Sequence, residues 1–226
     1  EPLLRTDLEG IMRRGLTAGI QGYGLVTNGW PATQARARSL KDAGLRVVQV
    51  SLDGVDAADH DAVRACGPEG FYRALRAIRL FRDAGLRVDA AALLNPRNLE
   101  RLPEMALLCE ALGVTNLRWC SFVPTGRARD PEVQRALTPA PERLDAFLEL
   151  MRTLNRRPDA PLRLTLDHGI GPWNDAGAFA CTSGQAVVYI SCEGDLYPCP
   201  GLIFDEFIVG NVYGPRPLEA LFADPA

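Results

Sequence analysis

Lysine is almost missing from this chain: all but one of its 25 basic residues are arginine, Lys41 being the exception. With its abundant Ala, Gly and Pro, that reads as coding bias and not as a phosphate-binding surface. No apolar run approaches the roughly 18 residues of a membrane span. A net charge of −3, with no basic stripe interleaved with aromatics, excludes a nucleic-acid footprint. Six cysteines in 226 residues are too sparse for a disulfide scaffold. They point instead to metal ligation plus buried thiols in a reducing, cytoplasmic compartment. His60 and His168 stand alone, so spacing assigns neither as a ligand. No secretory leader opens the chain, although Glu1 is not a natural start. What is present, 47% hydrophobic and 23% charged, describes a globular protein of one domain or one and a fraction.

The stretch Val47-Val48-Gln49-Val50-Ser51-Leu52-Asp53-Gly54 organises the rest. Its β-branched start suits a buried parallel strand. Its end turns polar: Ser51 and Asp53 point one way, Leu52 the other, and Gly54 breaks it. Ligands of parallel α/β proteins sit at such C-terminal strand ends. An ordinary Asx-type turn is the competing reading of the same residues.

Helix and strand signals alternate around that stretch. Asp7 to Gly19 reads as a helix with Asp7 as N-cap and Ile11 and Leu16 on one face. Gly24-Leu25-Val26 is a short strand ending in Thr27-Asn28-Gly29, and 33–42 a helix stopped by Gly44. Phe71 to Ala84 is amphipathic, with Phe71, Leu75, Ile78 and Phe81 inward and Arg73, Arg76, Arg79 and Arg82 solvated. A strand at 86–94 ends at Asn95-Pro96, and Leu99, Leu102, Met105, Cys109 and Leu112 form the next helical face. Leu117 to Val123 is a strand, and Leu144 to Leu154 a further helix. Such alternation means parallel βαβ units, four of them by these signals, after an opening helix. Right-handed crossovers put Thr27-Asn28, Ser51-Asp53, Asn95 and Pro124-Thr125 on one rim. Hydroxyl, amide and carboxylate groups so gathered suit a small polar ligand and not a metal.

Beyond Pro158 the texture changes. Residues 169–184 are rich in Gly, Ala and turn formers. Ala186 to Ile190, the turn Cys192-Glu193-Gly194-Asp195 and Leu196-Tyr197 form a β-hairpin signature, with a short helix at 217–222. Cys181 and Cys199 flank the hairpin, so their thiolates can share a zinc or iron–sulfur centre. A closed site takes about four ligands and the pair supplies two, so metal binding and a structural role stand level. Cys192 sits at the tip and is read as no ligand, Cys109 as a buried small hydrophobe, and Cys66 and Cys120 as structural.

In order along the chain, these pieces resemble the radical S-adenosylmethionine (SAM) enzymes that carry a SPASM auxiliary-cluster domain. Glu1-Pro2-Leu3-Leu4-Arg5 is similar to the tail of the Gly-Gly-Glu-Pro motif. Thr27-Asn28-Gly29 and Ser51-Leu52-Asp53-Gly54 resemble the ends of barrel strands three and four. His60 to Gly70 looks like the His-x-x-x-Arg-Gly loop before the next helix, and Pro124-Thr125-Gly126-Arg127 like the segment after strand six. Cys181 to Cys199, with Gly210-Asn211-Val212 behind, fits the start of the SPASM cysteine pattern.

The resemblance implies an α/β fold: a partial (β/α)6 TIM-like barrel over 1–158, lacking its first strand and cluster loop, and the start of a SPASM-like β-hairpin domain over 159–226. It implies reductive cleavage of SAM by a 4Fe-4S cluster to a 5′-deoxyadenosyl radical. By family role, Glu1 would hold the methionyl amino group, and Asn28, Ser51 and Arg64, with Asp53 beside them, the carboxylate and ribose. Main chain near Leu94 and Val123 would hold adenine. Cys181 and Cys199 would ligate an auxiliary iron–sulfur cluster. No catalytic residue is assignable. The implied partners are a precursor peptide, a peptide-recognition partner and an electron donor such as flavodoxin or ferredoxin, with no nucleic acid and no membrane.

Two departures qualify this. The Cys-x3-Cys-x2-Cys triplet for the radical-generating cluster is absent, so its ligands are expected outside this chain and the residues present are expected to be an internal, by themselves inactive, portion. Cys66 stands where the family has Gly after Arg64. Peptide maturation, of the mycofactocin and pyrroloquinoline quinone type, is the leading expectation. The alternatives are tetrapyrrole chemistry (haem or haem d1 synthesis) and a degenerate, non-catalytic barrel acting as a binding module.

Overall fold

The computed structural model describes residues 1–124, 126–166, 184, 187–216 and 220, of which 126 and 127 by backbone alone. The chain divides into two units: Glu1–Phe122 with Asp130–Asp167, and Val123–Arg129 with His168–Ala226.

In the first unit a 3-10 turn, Pro2–Leu4, precedes α1 (Leu8–Thr17), β1 (Tyr23–Thr27), α2 (Gln34–Asp42), β2 (Leu45–Ser51), α3 (Ala57–Arg64) and α4 (Glu69–Asp83). Then follow β3 (Arg87–Leu93), α5 (Leu102–Leu112), β4 (Asn116–Cys120), α6 (Pro131–Leu137), α7 (Pro141–Asn155) and β5 (Arg163–Leu166). The five strands make one parallel sheet in sequence order, an open arc of the kind a partial barrel requires.

Register separates the two faces of that arc. Val50, Ala90 and Leu117 pair across three strands, Ala92 and Trp119 pair across two of them one row higher, and all five are fully buried. Trp119 meets Phe147 of α7 edge-to-face at 5.2 Å, which identifies this as the helix-covered face. Phe71, Ile78 and Phe81 of α4 are buried as their spacing demands, with Ala74 and Ala77 beside them, while Leu75 is half-buried. Each large one contributes on the order of 1.5–3 kcal/mol. Strand side chains alternate, so Gln49-Asp89-Asn116-Arg163 and Ser51-Ala91-Arg118-Thr165 form rows on the other face. A parallel sheet buried on both sides would be apolar there. These rows are polar, which marks the face as a lining.

Several expectations change. Ile11 and Leu16 are exposed at 42% and 37%, while Met12 and Glu9 are buried. The cause lies in α1's neighbour: Glu9 turns inward to pair with Arg36 of α2 at 3.2 Å. Asp7 stands at the N-cap position but makes no cap bond, its carboxylate being held by Arg5 at 2.8 Å. The segment read as a loop over His60 to Gly70 is helical through Arg64, with Asp56 capping α3 by accepting from Asp59 N at 2.9 Å. Beyond Pro158, β5 pairs with β4 and adds a fifth parallel strand. Arg73 is not simply solvated: its guanidinium lies 3.9 Å above the Trp30 ring.

In the second unit β6 (Tyr189–Ile190), β7 (Asp195–Tyr197) and β8 (Gly210–Asn211) form a small antiparallel sheet in that order. The hairpin tip closes where Gly194 takes φ +90°, a left-handed conformation that glycine adopts freely. Asn211 locks the tip, its Nδ2 donating to Glu193 O (3.1 Å) and Asp195 Oδ1 (2.8 Å). That gives the Gly210-Asn211-Val212 sequence a structural task. The helix expected at 217–222 lies, except for residue 220, outside the described residues.

Candidate functional site: the C-terminal rim of the sheet

The rim begins with Glu1. Its Oε1 accepts from Thr27 Oγ1 (2.7 Å) and Leu3 N (3.0 Å), and its Oε2 from Asn28 N (2.9 Å). The carboxylate is thus fixed at the end of β1 by neutral donors only, and the residue stays exposed. Asn28 is exposed beside it, its Oδ1 accepting from Trp30 N at 2.9 Å. Ser51 closes β2 on the polar face, 7% exposed, and its hydroxyl makes no hydrogen bond among the described residues.

Asp53 follows two residues later and is completely buried. Its Oδ1 accepts from Leu93 N (2.7 Å), at the end of β3, and its Oδ2 from Arg64 Nε (2.5 Å), on α3. Its backbone is held as firmly: Asp53 N donates to His60 Nδ1 (3.2 Å), and Asn98 Nδ2 donates to Asp53 O (3.0 Å). His60 and Arg64 stand four apart on α3 and so share a face. Gly54 lets that helix approach, since a Cβ there would come within 2.4 Å of Asp59 Cβ and 2.7 Å of His60 N. Burial lowers the His60 pKa, and the neutral ring is the form that accepts at Nδ1. Asp53, expected among the cofactor-binding residues, has each of its oxygens hydrogen-bonded within the fold. Arg64, 37% exposed, has no partner for its two Nη atoms among the described residues.

Leu94 is buried, and its N–H is donated to Cys120 O (2.9 Å), which leaves only its carbonyl oxygen for a ligand. Val123 is exposed and begins the second unit. Cys199 is a half-buried free thiol, and Cys181 lies outside the described residues. Cys192 is exposed and bonded to the Glu193 carboxylate at 3.0 Å, which pushes its pKa up. Burial pushes the Cys109 thiol up to about 12, so it stays an inert apolar group. Among the described residues no three His, Cys, Asp or Glu side chains gather in a way that could hold a metal ion.

Sequence reasoning missed Asn98, wholly buried, whose amide ties the Asp53 and Leu93 carbonyls (3.0 and 2.7 Å) while its Oδ1 accepts from Asn95 N (3.0 Å). The signal was the turn chemistry of Asn95-Pro96-Arg97-Asn98, where side-chain amides replace backbone partners. It also missed Arg101, whose Nη1 bridges Asp56 and Asp59 at 2.6 Å each and pins the start of α3.

The parallel sheet thus carries a polar face, and its C-terminal rim presents the Glu1 carboxylate, the Ser51 hydroxyl and the Arg64 guanidinium. Residues 1–109 match the model of the radical SAM superfamily. It is 33% identical over 217 residues to the mycofactocin maturase MftC of Mycobacterium tuberculosis H37Rv, covering 94% of this chain and 53% of that protein. It is 27% identical over 234 residues to the AdoMet-dependent heme synthase of Methanosarcina barkeri, covering 94% and 63%. The fold matches Streptococcus suis SuiB, bound to S-adenosylmethionine (TM-score 0.77) and bound to its precursor peptide SuiA (0.73). Those matches, at 15% and 14% identity, cover all of this chain and 53% and 52% of SuiB. The chain thus spans about half the length of the relatives it resembles.

Proposed function

We propose that this chain is the SAM-binding arc, with the start of an auxiliary-cluster region, of an enzyme that modifies a ribosomally made precursor peptide. The observation that carries the reading is the rim: an exposed carboxylate at Glu1, a guanidinium at Arg64 and the open hydroxyl of Ser51. Those are the complements of a methionyl ammonium and carboxylate. Glu1 would take the amino end, Asn28, Ser51 and Arg64 the carboxylate and ribose, and the Leu94 carbonyl the adenine. When bound, SAM would supply the 5′-deoxyadenosyl radical on one-electron reduction by a 4Fe-4S cluster, with methionine released; the protein's task is to bind and orient it. The polar rows headed by Ser51 and Gln49 would line the space for the peptide.

MftC shares more identity with this chain than the heme synthase does, which favours the peptide over the tetrapyrrole. A recognition partner for that peptide and an electron donor such as flavodoxin or ferredoxin belong to the same reading. So does a cytoplasmic site; no described helix is long and apolar enough to cross a membrane. Anaerobic reconstitution of the full-length protein with iron and sulfide, followed by assay for 5′-deoxyadenosine, tests it. Product formed only with a precursor peptide supports the proposal, product formed only with a tetrapyrrole replaces it, and none at all leaves a binding module. Cys181 and Cys199 are proposed as auxiliary-cluster ligands, so the Cys181→Ala, Cys199→Ala double variant should lose part of its iron. Equal iron in both proteins would make the hairpin cysteines structural.

A further inference from the structure

We infer that Asp53 is a positioning residue: it sets the Arg64 guanidinium as the receptor for the methionyl carboxylate and so makes the rim selective for a carboxylate-bearing ligand. The inference rests on the proposal that the rim binds SAM, and it assigns Asp53 a part that acts only through Arg64.

The case begins with burial. A carboxylate with no exposed surface is strongly disfavoured unless paired and fully hydrogen-bonded. Asp53 meets both conditions, with Arg64 Nε on one oxygen and Leu93 N on the other. With no surface exposed, Asp53 acts on a ligand at the rim through Arg64. The anchor is also stiff, since His60 and Asn98 fix its backbone N–H and C=O. Arg64 is attached to this anchor by Nε alone. A guanidinium carries five N–H donors in a planar fork, and Nε uses one. Held at Nε, the plane keeps a set orientation, with its Nη groups on the partly exposed side and unpartnered among the described residues. That leaves a fork ready for a second carboxylate, at little ordering cost on binding.

A stitch between α3 and the sheet would explain the same ion pair without any ligand. Against it stands the second brace: Arg101 already ties the start of α3 through Asp56 and Asp59. Arg101→Ala therefore serves as a control, loosening α3 without touching Asp53 or Arg64.

The test is equilibrium dialysis of the full-length protein with SAM and with decarboxylated SAM, which differ only in the carboxylate. Wild type should bind SAM at least tenfold more tightly. Asp53→Asn should bring that ratio close to one by weakening SAM and leaving the decarboxylated ligand alone, whereas Arg101→Ala should keep it. Arg64→Lys retains a charge but cannot keep the fork, and should also lower the ratio; it decides the matter if Asp53→Asn does not fold. An unchanged ratio in Asp53→Asn, or an equal fall in Arg101→Ala, overturns the inference while the SAM proposal stands. Failure of wild type to bind SAM at all overturns both.

Discussion

Two carboxylates stand at adjacent strand ends and are built in opposite ways. Glu1, beside the end of β1, is exposed and held by Thr27, Asn28 and Leu3, all neutral donors. Asp53, just past β2, is fully buried and faces a guanidinium. Neutral donors orient a carboxylate without cancelling its charge, so Glu1 still attracts a cation. Asp53 has its charge answered inside the protein and reaches a ligand only through its partner. Residue type alone does not separate the two; burial and the sign of the donor do.

The sharpest way to break that contrast is to remove each carboxylate. Asp53→Ala strands the Leu93 N–H and parts Arg64 from its only charge partner among the described residues. Breaking a buried pair costs about 3–5 kcal/mol, and the lower end applies because Arg64 is partly solvated. Glu1→Ala loses hydrogen bonds and the cap of a 3-10 turn, about 1 kcal/mol. Urea denaturation of both variants checks the order; equal losses would erase the distinction. Ligand binding sharpens it next. Ser51→Ala and Arg64→Ala should each weaken SAM by roughly 1–3 kcal/mol in equilibrium dialysis. Unchanged affinity in both would place the ligand elsewhere on the rim.

On the Asp53 side, acid should act through His60. His60 is buried against Phe71, faces Asp53, Arg64 and Asp61, and has its pKa lowered, burial being the largest cause and Arg64 adding to it against the two aspartates. The unfolded chain takes up the proton near the ordinary 6.5 and the folded protein does not. Stability from this group is therefore complete above that value and lost as pH falls below it. His60→Gln should flatten this limb in denaturation midpoints between about pH 7 and 5. An unaltered pH profile would mean that His60 does not sense the protonation state.

Most of the arc was legible because its helices and strands keep their periods: α4 and α5 bury the faces that spacing marks. The rim order was legible too, since parallel crossovers leave little choice. Other features depended on partners distant in sequence. Glu9 replaced Ile11 and Leu16 on the inner side of α1 because Arg36 waits on α2. Nothing in Ser51-Leu52-Asp53-Gly54 announces that Leu93 N and Arg64 Nε will meet the Asp53 oxygens. The helix α3 hid because its eight residues, with one cap and few apolar positions, read like a loop.

The smallest expected effect concerns the end of that helix. The family's Gly after Arg64 was placed at Cys66, but the residue whose backbone needs it is Ala65, with φ +48° and ψ +45°. It is the only non-glycine among the described residues at positive φ. Asp61 makes the bend: its carbonyl accepts from Ala65 N (2.8 Å), and its Oδ1 accepts from Cys66 N (2.7 Å) and Gly67 N (2.5 Å). The left-handed conformation costs an L-residue roughly 1–2 kcal/mol. Glycine escapes that cost but loses about 0.5–1 kcal/mol more in chain entropy on folding. The steric term wins, so Ala65→Gly should stabilise the protein by about 0.5–1 kcal/mol. The measurement is a higher denaturation midpoint at an unchanged slope. A lower midpoint would mean that Asp61 holds the bend without strain at Ala65. The SAM affinity should not move in either case, because Arg64 is set by Asp53 and not by the turn that follows it.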